Sequence, residues 1–244
     1  MTHNTTTTVR ELAVCEPTAT RVFEKLKIDY CCGGGKTLDA ACAVAGVRTE
    51  DVWQLLEEAR QSQATGGNAI DFQTASLTEL VSYILNKHHV FTKEEMARLD
   101  ALFEKVCSVH GQNHPELLRV KSLFQNLCAD LKPHMFKEEQ VLFPYIIRLE
   151  EAVKSNRPPM PPPFGTVQNP VRMMMFEHDT AGELLRVLRK VTSDYTTPAD
   201  ACISYRTLYQ ALAAFEQDLH QHIHLENNIL FPRAVDMESA ASSI

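Results

Sequence analysis

Leu131-Lys-Pro-His-Met-Phe-Lys-Glu-Glu-Gln-Val-Leu-Phe-Pro144 returns 88 residues later as Leu219-His-Gln-His-Ile-His-Leu-Glu-Asn-Asn-Ile-Leu-Phe-Pro232, with Leu, His, Glu, Leu, Phe and Pro in register. A His and a Glu four apart on a helix lie on one face, one turn apart. His134/Glu138 and His222/Glu226 each therefore aim two metal-ligating side chains at one spot. His89 and His178, 89 residues apart, repeat almost in step with them. Each half of the region supplies one His from a first helix, then His and Glu from a second, so six ligands are expected to converge. Four imidazoles and two carboxylates form a nitrogen and oxygen set, which suits iron or manganese better than a thiolate-seeking metal, though zinc accepts these groups too. Two carboxylates can also bridge a pair of cations and cancel part of their charge, so the expected site is dinuclear.

Several neighbours compete for these roles. His88 adjoins His89 and could displace it, but the register with His178 and the face carrying Leu85 favour His89. His220 and His224 point about 160° away from His222 at roughly 100° per residue. His110 and His114 flank a Gly-Asn turn and are expected to be solvated. Asp130 and Asp218 each lie four residues before a ligand histidine. A carboxylate one turn back can accept the free ring N–H and fix the tautomer, or it can simply face solvent. One or two of Met173, Met174 and Met175 are expected in the core rather than on a metal.

Outward from the repeat, the chain reads as all-α. Apolar residues at Leu77, Leu80, Val81, Ile84 and Leu85 begin a helix at Ser76, with Glu79 completing a capping box, and it runs to about Val109. A second helix follows the break at Gly111 to Pro115 and continues to about Glu150. Arg157 to Phe164, rich in proline, must be an extended crossover. A third helix spans roughly Val171 to Ser193, and a fourth starts at the Thr196-Thr197-Pro198 turn and runs to about Pro232, kinking near its end. Two hairpins joined by a crossover give a four-helix bundle over 76–244. Before it, residues 1–62 read as a small domain of short helices (Pro17 to Lys27, Leu38 to Ala45, Glu50 to Arg60). Residues 63–75, with Gly66-Gly67, read as a linker.

With 244 residues and 44% of them hydrophobic, the chain can bury an ordinary core. A net charge of -7 argues against nucleic-acid binding, which a basic surface drives. The polar, Thr-rich start and the lack of a bilayer-length apolar run predict a cytoplasmic protein with no membrane partner. Seven scattered cysteines without a secretory leader predict thiols rather than a disulfide framework. Cys42, Cys107, Cys128 and Cys202 are expected to be small buried apolar residues.

Asp29-Tyr-Cys-Cys-Gly-Gly-Gly35 stands apart. Two adjacent thiols precede a helix expected near Thr37, whose positive end should lower their pKa toward the reactive thiolate. An adjacent pair makes a poor mutual disulfide, so Cys31 and Cys32 are expected to relay metal or sulfur, to form mixed disulfides, or to make dimer contacts. A tight turn with incidental cysteines is the plain alternative.

Taken together, these features resemble the repair-of-iron-centres family over nearly the whole chain. Asp29 to Gly34 is similar to the signature of that family's small N-terminal ScdA-type domain. Glu177-His178-Asp179 with Ala181 to Leu185, Leu225 to Asn228, and Leu230-Phe231-Pro232 are similar to its hemerythrin-like bundle. The resemblance implies a hemerythrin-like up-down bundle in which His89, His134, His178 and His222 are metal ligands and Glu138 and Glu226 bridge. The cofactor it implies is two non-haem iron ions, oxo-bridged when oxidised. It further implies that Asp130, where relatives can carry Glu, and Glu177 assist iron or substrate passage. The function implied is repair of iron–sulfur clusters damaged by nitric oxide or oxidative stress, with those damaged proteins as partners and nitric oxide or oxygen as small ligand. Alternatives on the same site are a nitric oxide reductase, or a carrier or sensor of oxygen or nitric oxide.

Overall fold

The computed structural model describes residues 6–16, 18–63 and 71–241. It is all-α, and among the described residues the only β pairing is an isolated bridge between Thr8 and Thr37. Two compact units form. One comprises the described residues up to Ser76 with His220–Arg233, the other Leu77–Leu219 with those from Ala234. Pro17, and residues 64–70 of the expected linker with their Gly66-Gly67 pair, lie outside the described residues.

The first unit opens with α1 (Val9–Cys15), α2 (Ala19–Leu26), α3 (Leu38–Ala45) and α4 (Thr49–Gln63). Helix α1, absent from the sequence expectation, starts on a capping box in which Thr8 Oγ1 accepts from Glu11 N–H at 3.2 Å and Glu11 Oε2 from Thr8 N–H at 2.7 Å. These two reciprocal bonds satisfy donors that a helix start leaves open. Val9, Leu12, Phe23, Leu38, Val52 and Leu56 close the core, each such side chain contributing about 1.5–3 kcal/mol when fully buried. Within the same unit Asn228 Nδ2 donates to Tyr30 O at 2.9 Å, and Arg233 donates to Phe72 O and Ala75 O.

The bundle helices are long and interrupted. The first is α5 (Leu77–Tyr83), a π-helical turn (Ile84–His89) and α6 (Val90–His110). The second is α7 (Glu116–Lys137), a π turn (Glu138–Leu142) and α8 (Phe143–Lys154); the third is α9 (Gln168–Val191). The fourth is α10 (Ile203–Leu225), a π turn (Glu226–Leu230) and α11 (Phe231–Ala241). It starts later than expected and continues past Pro232. The reason is local: Phe231 N–H bonds back five residues to Glu226 O, and Phe143 N–H does the same to Glu138 O. Widening the helix there moves the backbone out of the register in which Pro144 and Pro232 would break it. In the second unit, Leu117, Val120, Phe124, Leu127 and Leu131 alternate at three- and four-residue spacing and are buried, the stripe a bundle helix needs. Phe124 packs on Phe103 at 5.4 Å and on Phe215 at 5.6 Å.

The start of α5 is held from α8. Buried Glu150 accepts from Leu77 N–H at 2.9 Å, Thr78 N–H at 3.1 Å and Thr78 Oγ1–H at 2.6 Å. Burial pushes its carboxyl up, but the bonds from Thr78 and Leu77 outweigh it and hold it below the usual carboxylate range. Glu150→Ala should therefore cost about 1–3 kcal/mol in urea unfolding at neutral pH. Because the folded pKa is depressed, that contribution exists above the ordinary carboxylate value. The gap between wild type and variant should close as pH falls through the folded value.

Cys42 and Cys128 are buried as expected, but Cys107 is only half-buried and Cys202 is exposed, just ahead of α10 rather than inside a helix.

Candidate metal centre

In the bundle unit His89, His134, Glu138 and His178 come together, each under 5% exposed. Glu138 Oε2 lies 3.5 Å from His89 Nε2, and its other oxygen, Oε1, lies 3.4 Å from His134 Nε2. One carboxylate thus faces two different imidazoles. His134 Nε2 also lies 3.0 Å from His178 Nε2. Two nitrogens held ~2.1 Å from one ion at a right angle would stand about 3 Å apart. Glu138 is fully buried, yet neither of its oxygens has a hydrogen-bond partner among the described residues. A buried carboxylate without a donor is costly, and a cation is the partner that this arrangement fits.

The far sides of the His89 and His134 rings are each fixed by an acid from a neighbouring helix. His89 Nδ1–H donates to Glu139 at 2.7 Å and His134 Nδ1–H to Glu177 at 2.8 Å. A carboxylate can only accept here, so each Nε2 is left with its lone pair toward the centre. Lys93 pairs with Glu139 and Lys137 with Glu177. For both acids burial raises the carboxyl, but the lysine and histidine bonds outweigh it and hold it below the usual range.

His222 and Glu226 lie one turn apart on the fourth helix, both buried, with Nε2 and Oε1 3.0 Å apart. Glu226, like Glu138, is the first residue of a π turn, and His89 is the last residue of one. All three turns escaped the sequence reading. Each coincides with a candidate ligand, as π insertions at functional sites often do.

The carboxylates proposed one turn back do something else. Asp130 is exposed, and the His134 ring nitrogen it was expected to hold is taken by Glu177. Asp218 is taken by His88, whose Nδ1 lies 3.1 Å from Oδ1. Glu139, adjacent to Glu138, was missed. His224 is buried between the Tyr30 ring and Asn228, and burial pushes its pKa down to about 4. Met174 is the buried member of its run, with Met173 exposed.

Cys31 and Cys32 do not sit at a helix start. Helix α3 begins at Leu38 on a Thr37 cap. Asp29 instead gathers the pair: Oδ1 accepts from Cys32 N–H at 3.0 Å and Gly33 N–H at 2.9 Å, and lies 3.5 Å from Cys31 Sγ. A Cβ on Gly33 would meet the Asp29 carboxyl at 3.0 Å, which is why glycine follows the thiols. The two sulfurs are 3.8 Å apart, hydrogen-bonded as thiols rather than joined in a disulfide. The bond with Cys32, then burial and the Asp29 charge, push the Cys31 thiol well up, contrary to the expected activation. Asp29, Cys31 and Cys32 nevertheless offer ligand atoms within 4.8 Å of one another.

The hemerythrin HHE cation binding domain matches residues 80–234, and the ScdA_N domain, a domain of unknown function, matches residues 5–60. The chain is 36% identical to the "Probable iron-sulfur cluster repair protein" of Haemophilus influenzae, over 93% of this chain and 95% of that relative. It is 35% identical to the iron-sulfur cluster repair protein YtfE of Musicola paradisiaca, over 94% and 96% of the two chains. The protein of the same name from Yersinia pseudotuberculosis is 35% identical over 92% and 94%.

Proposed function

Because the chain belongs to the family of iron–sulfur cluster repair proteins with a hemerythrin-type cation-binding domain, we propose that it is a di-iron stress-response protein that restores iron–sulfur clusters damaged by nitric oxide or oxidation. His89, His134, Glu138, His178, His222 and Glu226 hold the metal pair in this reading. The observation that carries it is Glu138: a buried carboxylate whose two oxygens face two different imidazoles is suited to bridging two ions. Iron bound there would supply one-electron redox chemistry and affinity for small ligands such as nitric oxide or oxygen.

The protein's own groups set the conditions. Glu139 and Glu177, kept anionic by Lys93 and Lys137, orient the rings and raise their basicity. The ligand side chains are shut off from solvent, which strengthens every charge interaction at the centre. Asp29, Cys31 and Cys32 form a second donor set suited to receiving cargo iron, and a neutral Cys31 would give up its proton as the metal arrives.

Reactivation of a nitric-oxide-damaged iron–sulfur enzyme tests this function. The iron-loaded chain should restore activity, and a variant with both Cys31→Ala and Cys32→Ala should restore markedly less. If the loaded wild type restores nothing, the repair role is wrong; if the double variant matches it, the thiols are not part of the route.

A further inference from the structure

The bundle carries a second convergence of metal-ligating groups. His110 ends α6, 21 residues after His89, so it lies ~30 Å farther along that helix at 1.5 Å per residue. Beside it stand His114, from the turn leading to α7, and Asp200, from the approach to α10. Ligand atoms of His110, His114 and Asp200 lie within 4.8 Å of one another. We propose that His110, His114 and Asp200 form a site for a divalent cation of the zinc class.

Four observations support the assignment. His114 Nδ1–H donates to Glu116 at 3.0 Å, which turns Nε2 toward the Asp200 carboxylate, 3.0 Å and 3.1 Å away. That is the carboxylate–histidine–metal arrangement, with an outer acid fixing the ring. Two ligands ~2.0 Å from one tetrahedral ion would stand about 3.3 Å apart, so an ion fits here with small adjustments. His110 Nε2 is screened from solvent and has no hydrogen-bond partner among the described residues. The last carbonyls of α6 add the negative end of a helix dipole, which favours a cation.

Two imidazoles and one carboxylate form a set that zinc accepts, with a fourth position left for water. Such an ion would tie the turn before α7 to the approach to α10.

The test uses the full chain carrying Cys31→Ala and Cys32→Ala, so that zinc at the Asp29 thiol set is not counted, with its bundle centre loaded with iron. It is repeated with Glu138→Met added so that zinc at the bundle centre is not counted. Added zinc should bind at one further equivalent per chain after dialysis in both. His114→Ala and Asp200→Asn should each lose the extra equivalent while retaining iron. The proposal is overturned if the chain takes up no further zinc, or if either variant binds zinc as the chain without that substitution does.

Discussion

Glu138→Met is expected to make the metal-free protein more stable and the iron-supplied protein less stable than wild type. In the metal-free chain Glu138 is a fully buried carboxylate with no hydrogen-bond partner among the described residues. Replacing a buried ionic group with an apolar one of similar volume is commonly stabilising by about 1–4 kcal/mol. Iron reverses the order. Binding to the folded state alone stabilises by ~4 kcal/mol when free metal is a thousandfold above its dissociation constant, and a variant without the bridging carboxylate forgoes that gain. Urea melts of both proteins, with chelator and with ferrous iron, should therefore cross. A variant destabilised by several kcal/mol in chelator would mean that the protein alone satisfies the carboxylate.

The second large effect is expected at Glu139 and Glu177, neither of which is placed to touch metal. Glu139→Ala and Glu177→Ala should each weaken iron binding ~10–100-fold by releasing the ring of His89 or His134. Loss of fold is not expected, since both acids are partly exposed. Competition against a chelator of known affinity reads the change, and circular dichroism checks the fold. Unchanged affinity in both variants would show that ring orientation is set by packing alone.

The candidate ligands were legible in the sequence because a His and a Glu four residues apart are a property of one helix. The doubled motif supplied its own control. What failed was geometry that needs neighbours or direction. Asp130 sits at a helical spacing from His134, but it faces solvent and Glu177 takes the ring nitrogen. The true ring partners belong to other helices: Glu139 serves His89, and Glu177 serves His134. Sequence offers only the weak hint that each acid adjoins a ligand on its own helix. The π turns were hidden because a one-residue insertion in a helix leaves no periodic mark. Pro144 and Pro232, each separated by one residue from the end of a π turn, were the available signal. The four-helix count was recoverable from proline and glycine breaks, whereas α1 was missed because its capping box precedes too short an apolar run. At Cys31 the expectation relied on a helix dipole that starts too late in the chain, and Asp29 sets the thiol environment instead.

Iron-57 Mössbauer spectroscopy of the reconstituted wild type, paired with an iron count per chain, should show two irons per chain with their spins coupled through shared bridging groups, and that coupled signal should be lost in Glu138→Met. A single iron, or two magnetically independent ions unaffected by the Glu138 substitution, would contradict a dinuclear centre bridged by Glu138.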